Sequence, residues 1–448
     1  MVNCVRRAFF MQNQSGLTPV KPNHATLYLM GAEMRKMIFV RMLYACLVLC
    51  LLGFALPALA AEGNATAATE KAPAPAEKAP APPVSADKTP SAASSDAPKE
   101  NRLTAAINAS VAEGKINPSA PAGFLGIPGA PEVNPILAFA WAVWVGWIFS
   151  TVGAFGGVMA GVGHMSVFGL GTYASSFGKG APMNKVITDS LRVSNQWLVG
   201  FSSLISSIKY GQMGRIVLPL GIALGVGSLL GSWLIPTLTQ GKISFKEYQG
   251  YFGIFVLVLG CYLLYETTPG AQAKRKKASA AAKAFEEASR NTCAVDNGGT
   301  RVKVISVSLS RVVFTFCGVE FSFNTFLPAI GGFFISAVAA FLGVGGGFLL
   351  VPFLTSISQL PMYLAAGTSA FAVLVGMVTS ISTFMSGGTP VHWPLIGLEL
   401  GGVLIGSWVG PLTAKYLPDI WLKRLFIVLA FVVGIDFVLK GFVGKGIL

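Results

Sequence analysis

The chain has 448 residues, of which 53% are hydrophobic and only 12% are charged, whereas soluble domains carry about 25% charged residues. So few charged side chains cannot form a water-facing surface for a chain of this length, which excludes an ordinary soluble protein and predicts an integral membrane protein. The formal net charge of +14 would suit a nucleic-acid partner, but Lys and Arg fall mostly between apolar stretches, as the positive-inside bias predicts. We therefore expect a lipid bilayer, and no nucleic acid, as the partner of this chain.

Residues 1–60 are predicted to be an N-terminal extension and a signal peptide. A basic region that ends at Arg41 precedes an apolar stretch at 42–56, and the triplet Ala58-Leu59-Ala60 matches a signal-peptidase cleavage site. An uncleaved signal anchor is the alternative interpretation. Both interpretations place residue 62 outside the cytoplasm.

Residues 61–134 are predicted to form a disordered extracytoplasmic tether. The part from Glu62 to about Lys99 consists mainly of Ala, Pro, Lys, Glu and Ser and contains no aromatic residue. Such a segment cannot bury enough apolar surface to offset its chain entropy. One short surface helix is expected in the tether, at about 101–111.

An all-α polytopic membrane domain is predicted from about residue 135 onwards. Most of its apolar stretches match the roughly 20 residues that cross a bilayer, which gives about 8–10 spans. The stretches run at about 135–157, 158–178, 185–209, 215–237 and 249–266 in a first half, and at about 327–344, 345–359, 364–386, 392–414 and 421–442 in a second.

The two halves, residues 135–266 and 327–448, are predicted to be repeats. The passage from Pro219 to Gly231-Ser232-Trp233 recurs with the same spacing from Pro394 to Gly406-Ser407-Trp408. A duplicated hydrophobic half is typical of secondary transporters, in which the substrate site forms where the halves meet.

Residues 267–326 are predicted to form a basic cytoplasmic connector between the halves. If each half crosses the membrane five times, the cluster Lys274-Arg275-Lys276-Lys277 faces the cytoplasm, in agreement with the positive-inside rule. Five crossings in each half make the repeats inverted. Alternating apolar and polar residues from Arg311 to Phe323, around Cys317-Gly318, predict a small β-hairpin within the connector.

The second apolar stretch of each half is short or interrupted by glycine. In the second half, Gly343-Val344-Gly345-Gly346-Gly347 is followed by Pro352. These interruptions indicate discontinuous helices that line a cavity, because lipid cannot satisfy the freed backbone groups. A glycine seam for close helix packing is the alternative, and the stretch at 345–359 either spans the bilayer or is re-entrant.

The run from Gly343 to Pro352, followed by Pro361 and Ala366-Gly367-Thr368-Ser369, resembles the TauE/SafE family of sulfite and organosulfonate exporters. The resemblance covers about 135–442 and is closer in the second half. In the first half the glycine motif is reduced to Gly161-Val162-Gly163-His164-Met165, and Thr188-Asp189-Ser190 stands in place of the Gly-Thr-Ser triplet. The resemblance implies a membrane transporter that exports small sulfur oxyanions.

A site for such an oxyanion needs hydrogen-bond donors and a positive potential. Backbone N–H groups of glycine-rich breaks and the N-termini of helices supply both. The hydroxyls of Thr368 and Ser369 donate to the anion in this interpretation, and they bond a carbonyl one turn back in the alternative one. The predicted backbone contacts are Gly343, Gly345, Gly346 and Gly347.

Asp189, Arg192 and Asn195 recur every three residues and are expected on one face of a helix. Ionisable groups inside a membrane are costly and are therefore candidates for function. Arg192, Asn195 and Ser190 are predicted to bind the anion, and Asp189 is predicted to orient Arg192 or to carry a coupling proton. The alternative is an i,i+3 ion pair near a helix end, with Arg192 reaching the membrane interface.

His164 and Glu399 are further polar residues in apolar stretches. His164 is predicted to donate to the substrate and Glu399 to couple transport to protons. The alternatives are a polar group on a packing face and an ion pair with a neighbour. The three histidines show no metal-ligand spacing, so no metal, cofactor or catalytic residue is predicted.

The sequence therefore predicts a secondary transporter, not an enzyme, that exports sulfite or organosulfonates across a bacterial inner membrane. An importer or channel for related anions, such as thiosulfate or sulfate, has the same signature. A membrane-embedded sensor or enzyme is the third class, and it would require a clustered catalytic set or a folded extracytoplasmic domain.

Overall fold

The computed structural model describes residues 102–151, 155–212, 214, 216–270, 272–273, 303–308, 311–316, 319–356, 362–414 and 419–447. The predicted signal peptide at 1–60, the Glu62–Lys99 part of the predicted tether and the basic cluster at 274–277 lie outside these residues.

The segment before the membrane domain is ordered from Arg102 onwards. Helix α1, Arg102–Ala112, is followed by a 3₁₀ turn at Phe124–Gly126. Phe124 and Ile127 are buried, and the Phe124 ring stacks on the His392 ring with 5.3 Å between the centroids. Burial lowers the pKa of His392 below its ordinary value, which favours the neutral form of the stacked ring. The short helix expected at about 101–111 is present as α1. The remainder up to residue 134, predicted to be disordered, is ordered as well, because these apolar side chains find a packing surface on the bundle.

The first half is a series of helices that begin at well-marked positions. Pro182 opens one helix and Pro219 lies in the first turn of another, where a missing N–H costs no helical hydrogen bond. Ser244 and Glu247 form a capping box at a third. The elements are α2 (Pro135–Thr151), α3 (Phe155–Val162), a π-helical turn (Gly163–Val167), α4 (Leu170–Ser176), α5 (Pro182–Gln212), α6 (Leu218–Thr239) and α7 (Phe245–Glu266).

The second half repeats the order of a 17-residue helix, a short interrupted segment and three long helices. The break between the first two helices is the glycine run, in which Gly343 and Gly345 have positive φ angles of 72° and 75°. The elements are α8 (Phe326–Leu342), α9 (Gly347–Ser356), α10 (Met362–Ser386), α11 (Trp393–Ala414), α12 (Asp419–Val438) and a π-helical turn (Leu439–Val443).

A three-stranded antiparallel sheet lies between the halves in the chain. Strands β1 (Lys303–Val307), β2 (Arg311–Phe316) and β3 (Val319–Asn324) are arranged in that order. The predicted hairpin is confirmed, and β1 is an additional strand that was not predicted. Val312 and Phe314 belong to the same buried cluster as residues at the starts of α6 and α10, so the sheet covers that end of the bundle, here called the sheet end.

The first helix of each half packs against the fourth helix of the other half, an arrangement here called the exchange of first helices. Helix α2 lies along α11, and α8 lies along α6. Within each pair the two helices are parallel. Cβ atoms added at Gly402, Gly406 and Gly410 of α11 would contact successively later positions of α2, beginning at Phe139. Cβ atoms added at Gly227 and Gly231 of α6 would likewise contact Ala329 and then Phe333 of α8.

The remaining long helices pair with their counterparts in the other half. Helix α5 packs against α10, and α7 packs against α12. Gly200 faces Met377 whereas the earlier Arg192 faces the later Phe384, so α5 and α10 run in opposite directions. The same holds for α7 and α12, where Gly253 faces Val438 and Gly260 faces Ala430.

The duplicated Gly-Ser-Trp passage supplies the contact face of the exchanged helices. A Cβ added at Gly406 would collide with the carbonyl oxygen of Val143 on α2, and one at Gly231 would collide with that of Phe333 on α8. The tryptophans that follow, Trp233 and Trp408, are 52% and 71% exposed. Both copies therefore place a bare backbone against a neighbouring helix and an indole on the outer surface.

Five helices in the described part of the chain are long and apolar enough to cross a bilayer, and they include α6 and α7 in full and most of α10, α11 and α12. Helices α2 and α8 are apolar but have only 17 residues each. Helix α5 has 31 residues, or about 46 Å at 1.5 Å per residue, but its polar side chains lower its hydropathy. The protein is thus mostly helical with one small sheet.

Candidate functional site

The N-terminal half of α5 concentrates polar side chains that have no access to solvent. Burying such groups is costly unless they are hydrogen-bonded, so their partners define what this part of the molecule does. The buried polar residues of α5 between its first and fourth turns are Asn184, Thr188, Asp189, Ser190, Arg192, Ser194, Asn195 and Gln196, each at most 1% exposed.

Four side chains satisfy the last carbonyl groups of α8, where that helix ends at the glycine run. A helix C-terminus leaves four carbonyls without intrahelical partners, and here each receives one donor. Gln196 Nε2 donates to Ala340, Arg192 Nε to Phe341, the Tyr248 hydroxyl to Leu342 and Asn195 Nδ2 to Gly343, at 2.8–2.9 Å. The break in the second half is thus held by α5 and α7 of the first half.

Asn195 joins the broken segments of the two halves. Its Nδ2 atom donates to the Gly343 carbonyl at 2.8 Å and to the Gly157 carbonyl, on α3, at 3.1 Å. A Cβ added at Gly157 would collide with the carbonyl oxygen of Val344. The two interruptions therefore touch at the centre of the molecule, and glycine is required for that approach.

Arg192 is fully buried beside this meeting point. Its guanidinium carbon lies 4.7 Å from the Phe384 ring centroid and 5.2 Å from that of Phe341. One terminal nitrogen donates to Thr239 Oγ1 at 3.0 Å, and the other donates to Asp189 Oδ1 at 3.3 Å. A cation at the negative end of a helix dipole is favourable, and the aromatic faces add cation–π attraction.

Asp189 is the acceptor of three donors from different elements. Its Oδ2 atom accepts from the Gly241 N–H at 2.7 Å and from Arg102 at 3.1 Å, while Oδ1 accepts from Arg192. Asp189 thus lies between two arginines, one on its own helix and one on α1. The predicted i,i+3 spacing places Asp189 and Arg192 in direct contact.

His164 and Glu399 form a second buried pair that joins the halves. Nε2 of His164 lies 3.1 Å from Glu399 Oε2, and both side chains are at most 2% exposed. His164 belongs to the π-helical turn after α3, a distortion that is frequent at functional sites. Its Nδ1 atom has no hydrogen-bond partner among the described residues.

Several other buried polar atoms on α5 also lack a partner in the described part of the chain. They are the hydroxyl oxygens of Ser190 and Ser194 and the amide oxygens of Asn195 and Gln196. Leaving such atoms buried without a partner is physically costly for a merely structural core. These hydroxyl donors and amide acceptors can bind a small polar ligand or water.

The other predicted site residues lie apart from this cluster. Thr368 Oγ1 donates to the Leu364 carbonyl at 2.8 Å and accepts from the Val217 N–H, while Ser369 bonds the Ala366 carbonyl. Both hydroxyls thus bond a carbonyl on their own helix, as the alternative interpretation describes. Cβ atoms added at the remaining glycines of the run would contact apolar side chains, namely Gly345 with Val199, Gly346 with Ile335 and Gly347 with Val373.

The sequence did not single out four residues that build the cluster: Gln196, Tyr248, Ser194 and Arg102. Gln196 and Ser194 continue the polar run of α5, which is a usable signal. Tyr248 and Arg102 come from other elements, and no pattern marks them. No group of three His, Cys, Asp or Glu residues in the described ranges could hold a metal ion.

One comparison with known proteins gives a match. The model of the family described as Sulfite exporter TauE/SafE matches residues 137–437, from α2 into α12. Neither the curated proteins nor the solved structures contain a match to the chain.

Proposed function

Because the chain belongs to the TauE/SafE family of sulfite exporters and is therefore a membrane transporter and not an enzyme, we propose that it exports small sulfur oxyanions. Sulfite and organosulfonates are the proposed substrates, and a bacterial inner membrane is the proposed location. The proposal combines the family membership of the chain with the chemistry of the buried polar side chains on α5.

The observation that carries the proposal is the buried Arg192 at the point where the two broken segments meet. A cation there attracts an oxyanion, and its desolvated, aromatic surroundings strengthen that attraction. The hydroxyls of Ser190 and Ser194 are available to donate to sulfonate oxygens. The free amide oxygens of Asn195 and Gln196 suit hydrogensulfite, whose proton needs an acceptor.

We further propose that the two halves are inverted repeats, related by an axis in the membrane plane. Such an axis requires parallel pairing of each first helix with the opposite fourth helix, and antiparallel pairing of the third and fifth helices. The observed directions of α2 with α11, α8 with α6, α5 with α10 and α7 with α12 support this arrangement. In the proposed topology α1 is extracytoplasmic and the sheet end is cytoplasmic.

Glu399 is the proposed proton-coupling residue, and Asp189 is the proposed positioning residue for Arg192. Glu399 faces a buried imidazole, so one proton shared between Glu399 and His164 changes the charge of a solvent-free pair. Coupling predicts that Glu399→Gln still carries anion down its own gradient but loses its response to an imposed proton gradient. Wild-type protein in the same vesicles is the reference, and an undiminished response in the variant contradicts this role.

The test of the main proposal is flux of ³⁵S-labelled sulfite in proteoliposomes. We expect Arg192→Ala to lower the flux about 10- to 100-fold, as loss of a charged hydrogen-bond donor in a buried site implies. Arg311→Ala is the matched control, because Arg311 lies exposed on β2 and bonds Ser322. Since Arg192 also caps α8, Arg192→Lys, which keeps the charge, is measured beside it. Unchanged flux in a correctly inserted Arg192→Ala protein overturns the site.

Import of related anions, such as thiosulfate or sulfate, is the second candidate. It is favoured by the cationic residues at the α1 end, where Arg102 and Lys185 face one cavity. Flux measured in both directions under an imposed proton gradient separates the two. Net efflux driven by proton entry supports export, and net uptake supports import.

A further inference from the structure

A cavity of about 440 Å³ opens beneath α1, at the end of the bundle opposite the sheet. Arg102 and Ala106 of α1 form one wall, and Lys185, at the start of α5, lies on another. The backbone of Gly241, in the loop between α6 and α7, also lines it. Together with Gly387, which follows α10, four separate stretches of chain thus line the cavity.

The cavity carries two cationic side chains. Arg102 donates to Asp189 at 3.1 Å and approaches the Gly387 carbonyl at 3.4 Å, yet 30% of its side chain remains accessible. Lys185 has no hydrogen-bond or ion-pair partner within the described ranges. The first turn of α5 faces the same space through Pro182 and Val186, and a helix N-terminus adds positive potential.

The cavity is connected to the buried site through one carboxylate. Asp189 bonds Arg102 on the cavity side and Arg192 on the buried side. Two guanidinium groups therefore share a single carboxylate, which leaves these three side chains net positive. An anion in the cavity can replace Asp189 as the partner of Arg102, and Asp189 then keeps Arg192 and the Gly241 N–H as its donors.

We propose that the cavity beneath α1 is a second binding site for a small oxyanion, held by Arg102 and Lys185. The inference rests on the proposed function for the identity of the anion as a sulfur oxyanion, and not for the existence of the site. Arg102 lies outside residues 137–437, the part that matches the family. The site is thus completed by a residue outside the matched part of the chain.

The test measures acetylation of Lys185 by acetic anhydride in purified protein, read by peptide mass spectrometry. Methanesulfonate, which does not react with the reagent, is compared with chloride at equal ionic strength. At a concentration twice its dissociation constant it is expected to slow acetylation of Lys185 about threefold. Lys246, at the same end but outside the cavity lining, is the internal control and is expected to react equally in both salts.

Arg102→Gln is expected to abolish the protection and Arg102→Lys to retain most of it. Lys115 bonds the Phe177 carbonyl, so unchanged reactivity of Lys115 verifies that the α1 segment stays docked in the variants. Equal slowing of Lys185 and Lys246 shows screening only and overturns the site. So does full protection in a docked Arg102→Gln protein.

Wild-type sulfite flux is measured on the same preparation, so that two failures are told apart. Flux without protection of Lys185 overturns the second site and leaves the transporter intact. Protection without flux of any sulfur oxyanion leaves an anion site and overturns the proposed function.

Discussion

The side-chain amide nitrogen of Asn195 donates hydrogen bonds to both broken segments of the molecule. Its two N–H bonds reach Gly343 of the second half and Gly157 of the first, and neither carbonyl belongs to its own helix. Neighbouring Gln196 and Arg192 hold the carbonyls of Ala340 and Phe341 in the same way. The polar run on α5 is therefore both a capping surface for α8 and, through its remaining polar atoms, a candidate binding surface.

Asn195→Ala is expected to lower the free energy of unfolding by about 2 kcal/mol or more, because two buried carbonyls lose their donor. Thermal unfolding in detergent measures the effect. Ser369→Ala is the control, with an expected change within about 0.5 kcal/mol, since its hydroxyl only bonds a carbonyl on its own helix. Equal stability of the two variants contradicts the bridging role of Asn195.

At the level of residues, spacing along one helix was predictable and contacts between elements were not. The three-residue interval from Asp189 to Arg192 predicts a shared face, and the two side chains touch at 3.3 Å. Arg102 reaches Asp189 from 87 residues away, out of a short helix whose sequence indicates no partner. His164 and Glu399 were each singled out, but periodicity carries no information on their mutual contact.

Among the elements, glycine decides how closely helices approach. Gly406 on α11 lies against the backbone of α2, whereas a Cβ added at Gly397, nine residues earlier on the same helix, would have nothing within 4 Å. The duplicated passage thus marks a packing face, as small residues do in membrane helix pairs. The copy of this passage that contains Gly231 forms the corresponding contact face between α6 and α8.

Gly406→Ala is expected to destabilise the protein by about 1–3 kcal/mol, because the added methyl group forces α2 and α11 apart. Gly397→Ala on the same helix is the matched control, and it is expected to be neutral or stabilising by up to about 1 kcal/mol through helix propensity. Thermal unfolding of both variants in detergent measures the difference. Similar losses in both would mean that backbone flexibility, and not close approach, explains the glycine.

The apolar stretches predicted the helices of both halves, and alternation predicted the β2–β3 hairpin, because both signals are local. Strand β1 pairs with β2 through residues such as Val304 and Phe314, but it is too short to stand out from its surroundings. The pairing of α2 with α11 is also invisible in the sequence, because any apolar helix can pack against any other. Shape complementarity at the glycines selects the partner.

For the whole molecule, the proposed topology separates its two ends by the membrane. The α1 end contains the 440 Å³ cavity and the loops near Gly241 and Gly387. The sheet end contains Lys303 and Arg311, and the basic cluster at 274–277 precedes it in the chain. The basic cluster therefore supports the proposed cytoplasmic side of the sheet end.

Single cysteines at Lys242 and Ser308, in a variant with the six natural cysteines replaced, test this orientation with a membrane-impermeant maleimide. Both positions are exposed, one beside the α1 end and one beside the sheet. We expect Lys242→Cys to be labelled in intact spheroplasts and Ser308→Cys only after lysis. The reverse pattern inverts the topology, and labelling of both from one side contradicts inverted repeats.

The exchange of first helices has a consequence for each half taken alone. A protein made of one half would expose the bare glycine face of its fourth helix, and its first helix would have no partner. Both surfaces would be covered only if a second copy packed against the first. Because one polypeptide supplies both halves, their equivalent positions are free to differ, as Asp189 on α5 and Thr368 on α10 do.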